Sequence, residues 1–253
     1  MKKSMLFIKP FLVALQFLTR IPVVFVKKPS DLEIAQSVLF YPVVGLLIGI
    51  VLTVLNYHLY LVSDFLRASI VVIVWVVITG ALHIDGLADS VDAWAGGLGN
   101  KEKTLAIMKD PNCGPMGVVA IVLLILIKFS VVASIPPGNI LILIFVPVLA
   151  RSIILLLFLT TAYAREKGIA SEYFVLFLHK ANIIVLILVA ALSLLILQVH
   201  AMIVVSIVVL VFAYLRWVMV NRIGGFTGDT AGAMVEITEV VALVVLAFIM
   251  PLQ

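Results

Sequence analysis

The stretch from Ile140 to Thr160 reads ILILIFVPVLARSIILLLFLT and carries one charge, Arg151. A helix of that length rises about 30 Å at 1.5 Å per residue, enough to cross the hydrocarbon core of a bilayer. Six further apolar runs of similar length flank it: Val38–Tyr60, Leu66–Leu82, Val118–Ser134, Asn182–Val199, Ala201–Val220 and Met234–Met250. Of the 253 residues, 64% are hydrophobic and 12% charged, whereas a soluble domain carries about 25% charged residues. The mean hydropathy is +1.32. The reading is an all-α polytopic transmembrane bundle of about seven spans, built as a single integral membrane domain over residues 1–253. Segment Ser4–Val26 is also apolar, but Lys9, Pro10, Arg20 and Pro22 interrupt it. That pattern predicts an interfacial or re-entrant helix rather than a clean span or a cleavable signal.

The formal charge is +4. The basic residues are spread over several loops instead of forming a stripe with aromatics between them, so no nucleic-acid partner is expected. Cys113 is the only cysteine, which excludes an internal disulfide and a CxxC zinc framework. The basic residues also orient the chain. With the N-terminus inside, Lys2, Lys3, Lys9, Arg20, Lys27 and Lys28 lie in the cytoplasm. Lys101, Lys103, Lys109, Arg165, Lys167, Lys180 and Arg222 join them in loops 83–117, 161–181 and 221–233. The opposite face receives Arg67 alone. Acidic residues contribute little to topology, yet of thirteen Asp and Glu only Asp64 falls outside. A cytoplasmic working surface at the plasma (inner) membrane explains that bias.

Two motifs on this side carry chemistry. The first is GALHIDGLADSVD, Gly80 to Asp92, where Asp85, Asp89 and Asp92 stand at i, i+4 and i+7. On a helix they share a face within roughly 60°. Three carboxylates so close repel one another, and a hard divalent cation relieves the repulsion. Mg²⁺ typically takes one or two carboxylates, keeps waters and uses substrate phosphates as further ligands. His83, two residues before the first Asp, is either a hydrogen-bonded boundary histidine or a base. The second motif is RIGGFTGDTAGAMVEITE, Arg222 to Glu239. Gly224, Gly225 and Gly228 permit close backbone approach, and Asp229 and Glu236, seven apart, share a face of the following helix. No Lys-Ser/Thr follows the glycines, so it is not a Walker A loop. A third patch, IMKDPNCGPMG from Ile107, places Lys109 and Asp110 before a Pro/Gly turn; Lys109 is either a phosphate-facing cation or a solvated loop lysine. Lys128 and Arg151 fall inside apolar runs, where charges face the bundle interior and either pair structurally or serve function.

At these residues the chain resembles the cobalamin synthase family, the adenosylcobinamide-GDP ribazoletransferases. The resemblance covers most of the chain: QFLTRIPV from Gln16, YPVVGLLIG from Tyr41, GALHIDGLADSVDA from Gly80, IMKDPNCGPMG from Ile107, YAREKG from Tyr163 and the glycine-rich block from Arg222. Ser90 stands where many members have Thr, Ala93 where Gly is common, and Pro111-Asn112-Cys113 replaces a triplet that elsewhere includes Arg. The resemblance implies transfer of α-ribazole, or its 5′-phosphate, to adenosylcobinamide-GDP, with release of GMP and a requirement for Mg²⁺. The expected partners are the corrinoid-GDP and α-ribazole substrates and the lipid bilayer, with a homo-oligomer left open.

On that reading Asp85, Asp89 and Asp92 hold the metal, joined by Asp229 and Glu236. One of the carboxylates, or His83, accepts the hydroxyl proton. Gly224, Gly225, Thr227 and Gly228 line the diphosphate, while Lys109, Asp110 and Arg222 border the leaving nucleotide. A CDP-alcohol phosphotransferase is the nearest alternative, but its Arg after DGxxA and its second DxxxD are missing here. A transporter would bind near the midplane on broken helices, not at an acidic inner boundary.

Overall fold

The computed structural model describes residues 5–164 and 178–250; Lys2, Lys3, Arg165 and Lys167 lie outside them. The described residues form helices, with one isolated bridge pairing Tyr163 and Phe226. Helix α1 (Met5–Leu18) has 14 residues and holds Pro10 within it. At about 21 Å it is too short to cross a membrane. Lys9 pairs with Glu33 at 3.2 Å, tying α1 to α2 (Asp31–Ser37). That helix starts on a capping box, in which the Ser30 hydroxyl accepts from the Glu33 amide and the Ser30 amide donates to the Glu33 carboxylate. A 3₁₀ turn leads into α3 (Tyr41–His58).

Gly45 and Gly49 lie four apart on α3, and this small-residue pair seats it on α8 (Ile140–Thr160). A Cβ on Gly45 would strike the Pro147 carbonyl, and one on Gly49 would sit 2.7 Å from the Ile144 Cα. Lipid is as apolar as the side chains, so helices associate by close backbone packing at such residues. Pro147 contributes as well. It has no N–H for the Leu143 carbonyl, and the Gly49 backbone lies against that oxygen.

Helix α4 (Asp64–Thr79) begins beside Arg67, which is buried and fully engaged. Its guanidinium donates to the Asn56 side chain at 3.1 Å, to Asp64 at 2.6 Å and to the Ile135 carbonyl at 3.0 Å. The only basic residue expected on that face thus clips three helices together.

At its other end α4 stops at Thr79. Gly80 and Ala81 both take left-handed conformations, with φ of 64° and 56°, and α5 (Leu82–Gly97) leaves at 86° to α4. Gly80 has no side chain, and the Arg20 side chain occupies that space while the Arg20 amide donates to the Ile78 carbonyl at 2.7 Å. Leu82, expected inside the second span, therefore opens a separate helix that carries the acidic motif.

The remaining helices are α6 (Lys101–Ile107), α7 (Pro115–Ser134), α9 (His179–Leu197), α10 (Val199–Ile223) and α11 (Gly228–Ile249). Among the described residues six helices are long and apolar enough to cross a membrane, or seven counting α4 and α5 as one broken span. The last begins at Gly228, six residues before the expected Met234 and just inside the glycine-rich motif.

Candidate active site

Helices α5 and α11 cross in backbone contact. A Cβ on Gly86 would lie 2.6 Å from the Asp229 carbonyl oxygen, and one on Gly232 would lie 3.2 Å from the His83 Cα. The two acid-bearing motifs, 146 residues apart at these glycines by their numbers, therefore meet. Thr227 fixes the start of α11. Its hydroxyl accepts from the Thr230 amide at 3.2 Å and the Thr230 hydroxyl accepts from the Thr227 amide at 2.8 Å, a closed N-cap. Asp229 sits in that first turn, where the helix dipole favours a carboxylate.

On α5, Asp85 is exposed while Asp89 and Asp92 are half-buried. Asp92 accepts from the Gly114 amide at 2.7 Å and from the Gly117 amide at 2.9 Å. It therefore caps the N-terminus of α7 from a neighbouring helix, an anion where the dipole places positive charge. Asp92 thus has a structural task that spacing alone did not reveal. A cleft of about 520 Å³ opens here, lined by Asp89, Asp92, Gly96, Asp110 and Cys113 among others. Loss of hydration raises the Cys113 thiol above its ordinary value, and Asp92, Asp89 and Asp85 raise it further. All three carboxylates therefore act on one point at the cleft mouth. Asp110 accepts from the Asn112 amide and side chain at 3.0 and 2.7 Å; those bonds hold its carboxyl below the usual range.

Several expected contacts are corrected by the structure. Thr227 is fully buried, so its hydroxyl builds the cap and does not reach a substrate. Gly224 is the left-handed end of α10, with φ of 78°. Gly225 lies under the Ala162 backbone, and the Phe226 amide donates to the Ala162 carbonyl at 3.0 Å. These two glycines serve a locked turn, while Gly228 alone faces open space. Arg222 donates to the Thr104 hydroxyl at 3.1 Å and to the Trp94 carbonyl at 2.9 Å, which ties α10 to α5 and α6. Lys109 is exposed beside Asp110. Lys101, not singled out from the sequence, brings its ammonium to within 3.1 Å of where a Gly224 Cβ would stand. A lysine in a loop of mixed charge carries no signal of such placement.

Glu236 and His83 depart most from expectation. Glu236 shares the Asp229 face, but seven residues of rise carry it about 10 Å deeper. There it pairs with Lys128 at 2.6 Å and is 2% exposed. That carboxylate is held by its ion pair inside the bundle. His83 is 4% exposed, in the α5–α11 contact, so the open carboxylates are better placed than its ring to take a proton from a substrate.

Among the described residues no group of three or more His, Cys, Asp or Glu side chains is placed to hold a metal ion by itself. Mg²⁺ does not need one, because it retains waters and takes substrate phosphates. The Gly86 crossing sets the backbone of Asp229 against α5, which carries Asp85 and Asp89, and carboxylates are oxygen donors of the kind a hard cation takes.

Segments 83–117 and 221–233 gather with residues 162–164 at one end of the bundle, while Asn56, Asp64, Arg67 and Ile135 mark the other. Fold and site together define an all-α, multi-pass membrane enzyme whose polar cleft lies at one end of the helices. Comparison with known proteins sharpens that class. The chain belongs to the cobalamin-5-phosphate synthase family, whose model matches residues 10–247. It is 45% identical over 239 residues to the adenosylcobinamide-GDP ribazoletransferase of Pseudomonas fluorescens strain Pf0-1, covering 94% of this chain and 98% of the relative. The enzyme of the same name from Pseudomonas aeruginosa strain UCBPP-PA14 is 44% identical over 245 residues, covering 95% and 98%. That of Acinetobacter baumannii strain ACICU is 42% identical over 235 residues, covering 92% and 95%. No solved structure matches the chain.

Proposed function

We propose that the protein joins α-ribazole, or α-ribazole 5′-phosphate, to adenosylcobinamide-GDP with release of GMP. A ribose hydroxyl oxygen attacks the phosphorus nearest the cobinamide, the bond from that phosphorus to the GMP phosphate oxygen breaks, and a site carboxylate takes the hydroxyl proton. The names of the relatives support the substrates. The observation that carries the site assignment is the Gly86–Asp229 crossing, which sets the backbone of the first turn of α11 against the acid-bearing α5.

Phosphoryl transfer depends mainly on positioning and on neutralising charge. Asp85, Asp89 and Asp229 would hold Mg²⁺, with Asp92 adjoining them through its clamp on α7. The bound ion would supply charge neutralisation at the diphosphate. Lys109 and Lys101 are the cations available for the leaving nucleotide, and Gly228 offers an unobstructed backbone approach. The test is GMP release from adenosylcobinamide-GDP and α-ribazole by the detergent-purified chain. Asp85→Asn and Asp89→Asn should each abolish it in protein that still inserts and melts normally. Near-normal turnover by Asp85→Asn in Mg²⁺ would remove the metal assignment.

The same reading places the cleft on the cytoplasmic face of the plasma (inner) membrane, supported by the lysine and arginine bias. Cys113 is exposed and is the only cysteine. A membrane-impermeant maleimide should therefore label it in inverted vesicles and not in intact cells; the reverse result would invert the topology.

A further inference from the structure

Beneath the cleft, four helices contribute a cluster of charges shielded from solvent. Lys128 of α7 lies 2.6 Å from Glu236 and 2.5 Å from Glu239, both on α11. Arg151 of α8 pairs with the other oxygen of Glu239. The Trp75 indole of α4 donates to that same oxygen at 3.3 Å, and the Lys128 ammonium stands 4.6 Å from the Trp75 ring centre. Each of these residues is 2% exposed or less. Two cations meet two carboxylates, so the cluster is neutral, yet its ions are costly to bury. Replacing a buried ion pair by apolar side chains of similar volume is often neutral or stabilising. Stability alone therefore does not account for it.

Position does. Apolar contact is non-directional, so among apolar helices and lipid it fixes a helix's register less sharply than paired charges do. A slip of one residue moves a side chain about 1.5 Å along the axis and 100° around it, which would part Glu236 and Glu239 from their partners together. Helix α11 supplies both acids, and its first turn presents Asp229 against Gly86. We propose that Lys128, Arg151, Glu236 and Glu239 are positioning residues that lock the register of α11, and so set Asp229 against the carboxylates of α5. The proposal rests on the reading of those carboxylates as the Mg²⁺ site.

Two double variants test it in the full-length protein in detergent: Lys128→Met with Glu236→Leu, and Arg151→Met with Glu239→Leu. Each removes one cation and one anion, leaving the rest balanced. Both should melt near the wild-type temperature, lose turnover by about tenfold or more, and need about tenfold more Mg²⁺ for half-maximal rate, the penalty of a site displaced by an ångström or so. A direct ligand role for Glu236 predicts instead that the Arg151/Glu239 pair leaves the Mg²⁺ requirement untouched, and that outcome overturns the lock. So does wild-type turnover from either folded double variant. Should a double variant fail to fold, Glu236→Gln, close in shape, carries the test. It should raise the Mg²⁺ requirement while Gly138→Ala, where an added Cβ meets nothing within 4 Å, stays near wild type; equal Mg²⁺ dependence for the two overturns the proposal. Asp85→Asn assayed alongside separates the two ideas. An active Asp85→Asn defeats the metal reading, whereas an inactive one beside fully active double variants defeats only the lock.

Discussion

Replacing Gly86 with alanine sets a methyl group 2.6 Å from the Asp229 carbonyl oxygen and 3.0 Å from its Cα. Both atoms are backbone, so no side chain can rotate away. Ordinary contact begins at 3.4 Å, and α5 and α11 must part by about 0.8 Å to reach it. Overpacking of this kind costs about 1–3 kcal/mol. The larger effect falls on geometry, because Asp229 moves relative to Asp85 and Asp89, and a misplacement of about 1 Å costs roughly a hundredfold in rate. The assay is GMP release under saturating substrates and Mg²⁺, read beside a thermal melt of the same preparation. Gly86→Ala should melt a few degrees lower and turn over at roughly one per cent of wild type. Gly138→Ala, where an added Cβ meets nothing within 4 Å, is the matched control and should behave as wild type. A folded Gly86→Ala protein with turnover within about twofold of wild type would show that the crossing does not set the site.

Cys113 should react slowly with iodoacetamide at neutral pH and faster as pH rises, since its raised thiol pKa leaves little thiolate at neutrality. Alkylation there should block GMP release, with adenosylcobinamide-GDP protecting; fast labelling at pH 7, or a fully active alkylated enzyme, would contradict that placement. Gly49→Val forces α3 off the Ile144 and Leu143 backbone and should cost about 1–3 kcal/mol, read as a lower melting temperature; an unchanged melt would refute the tight α3–α8 seam.

The spans were legible because a bilayer demands long apolar runs, and Ile140–Thr160 coincides with its helix residue for residue. The break after α4 was not. Hydropathy runs on through Ala81 and Leu82, and Ala81 at φ 56° is not a residue whose type announces a left-handed turn. Helical periodicity correctly put Asp85, Asp89 and Asp92 on one helix, but it has no access to partners. The Gly114 and Gly117 amides that hold Asp92 come from the start of another helix, α7. Periodicity also reports angle and ignores depth, so Asp229 and Glu236 looked like companions when one lies in the first turn of α11 and the other beside Lys128. The Gly45/Gly49 pair was readable in principle, since two small residues four apart in an apolar run are the mark of a close helix seam.

The right-angle turn at Gly80–Ala81 decides how bulky molecules are handled. A straight continuation of α4 would have pointed its carboxylates outward from a tip, with room for one visitor. Laid sideways, α5 offers a flank, and on the function proposed above a corrinoid nucleotide and a nucleoside would dock along it as neighbours. Neither would then have to thread the bundle, and the joined product would leave by the side on which its halves arrived.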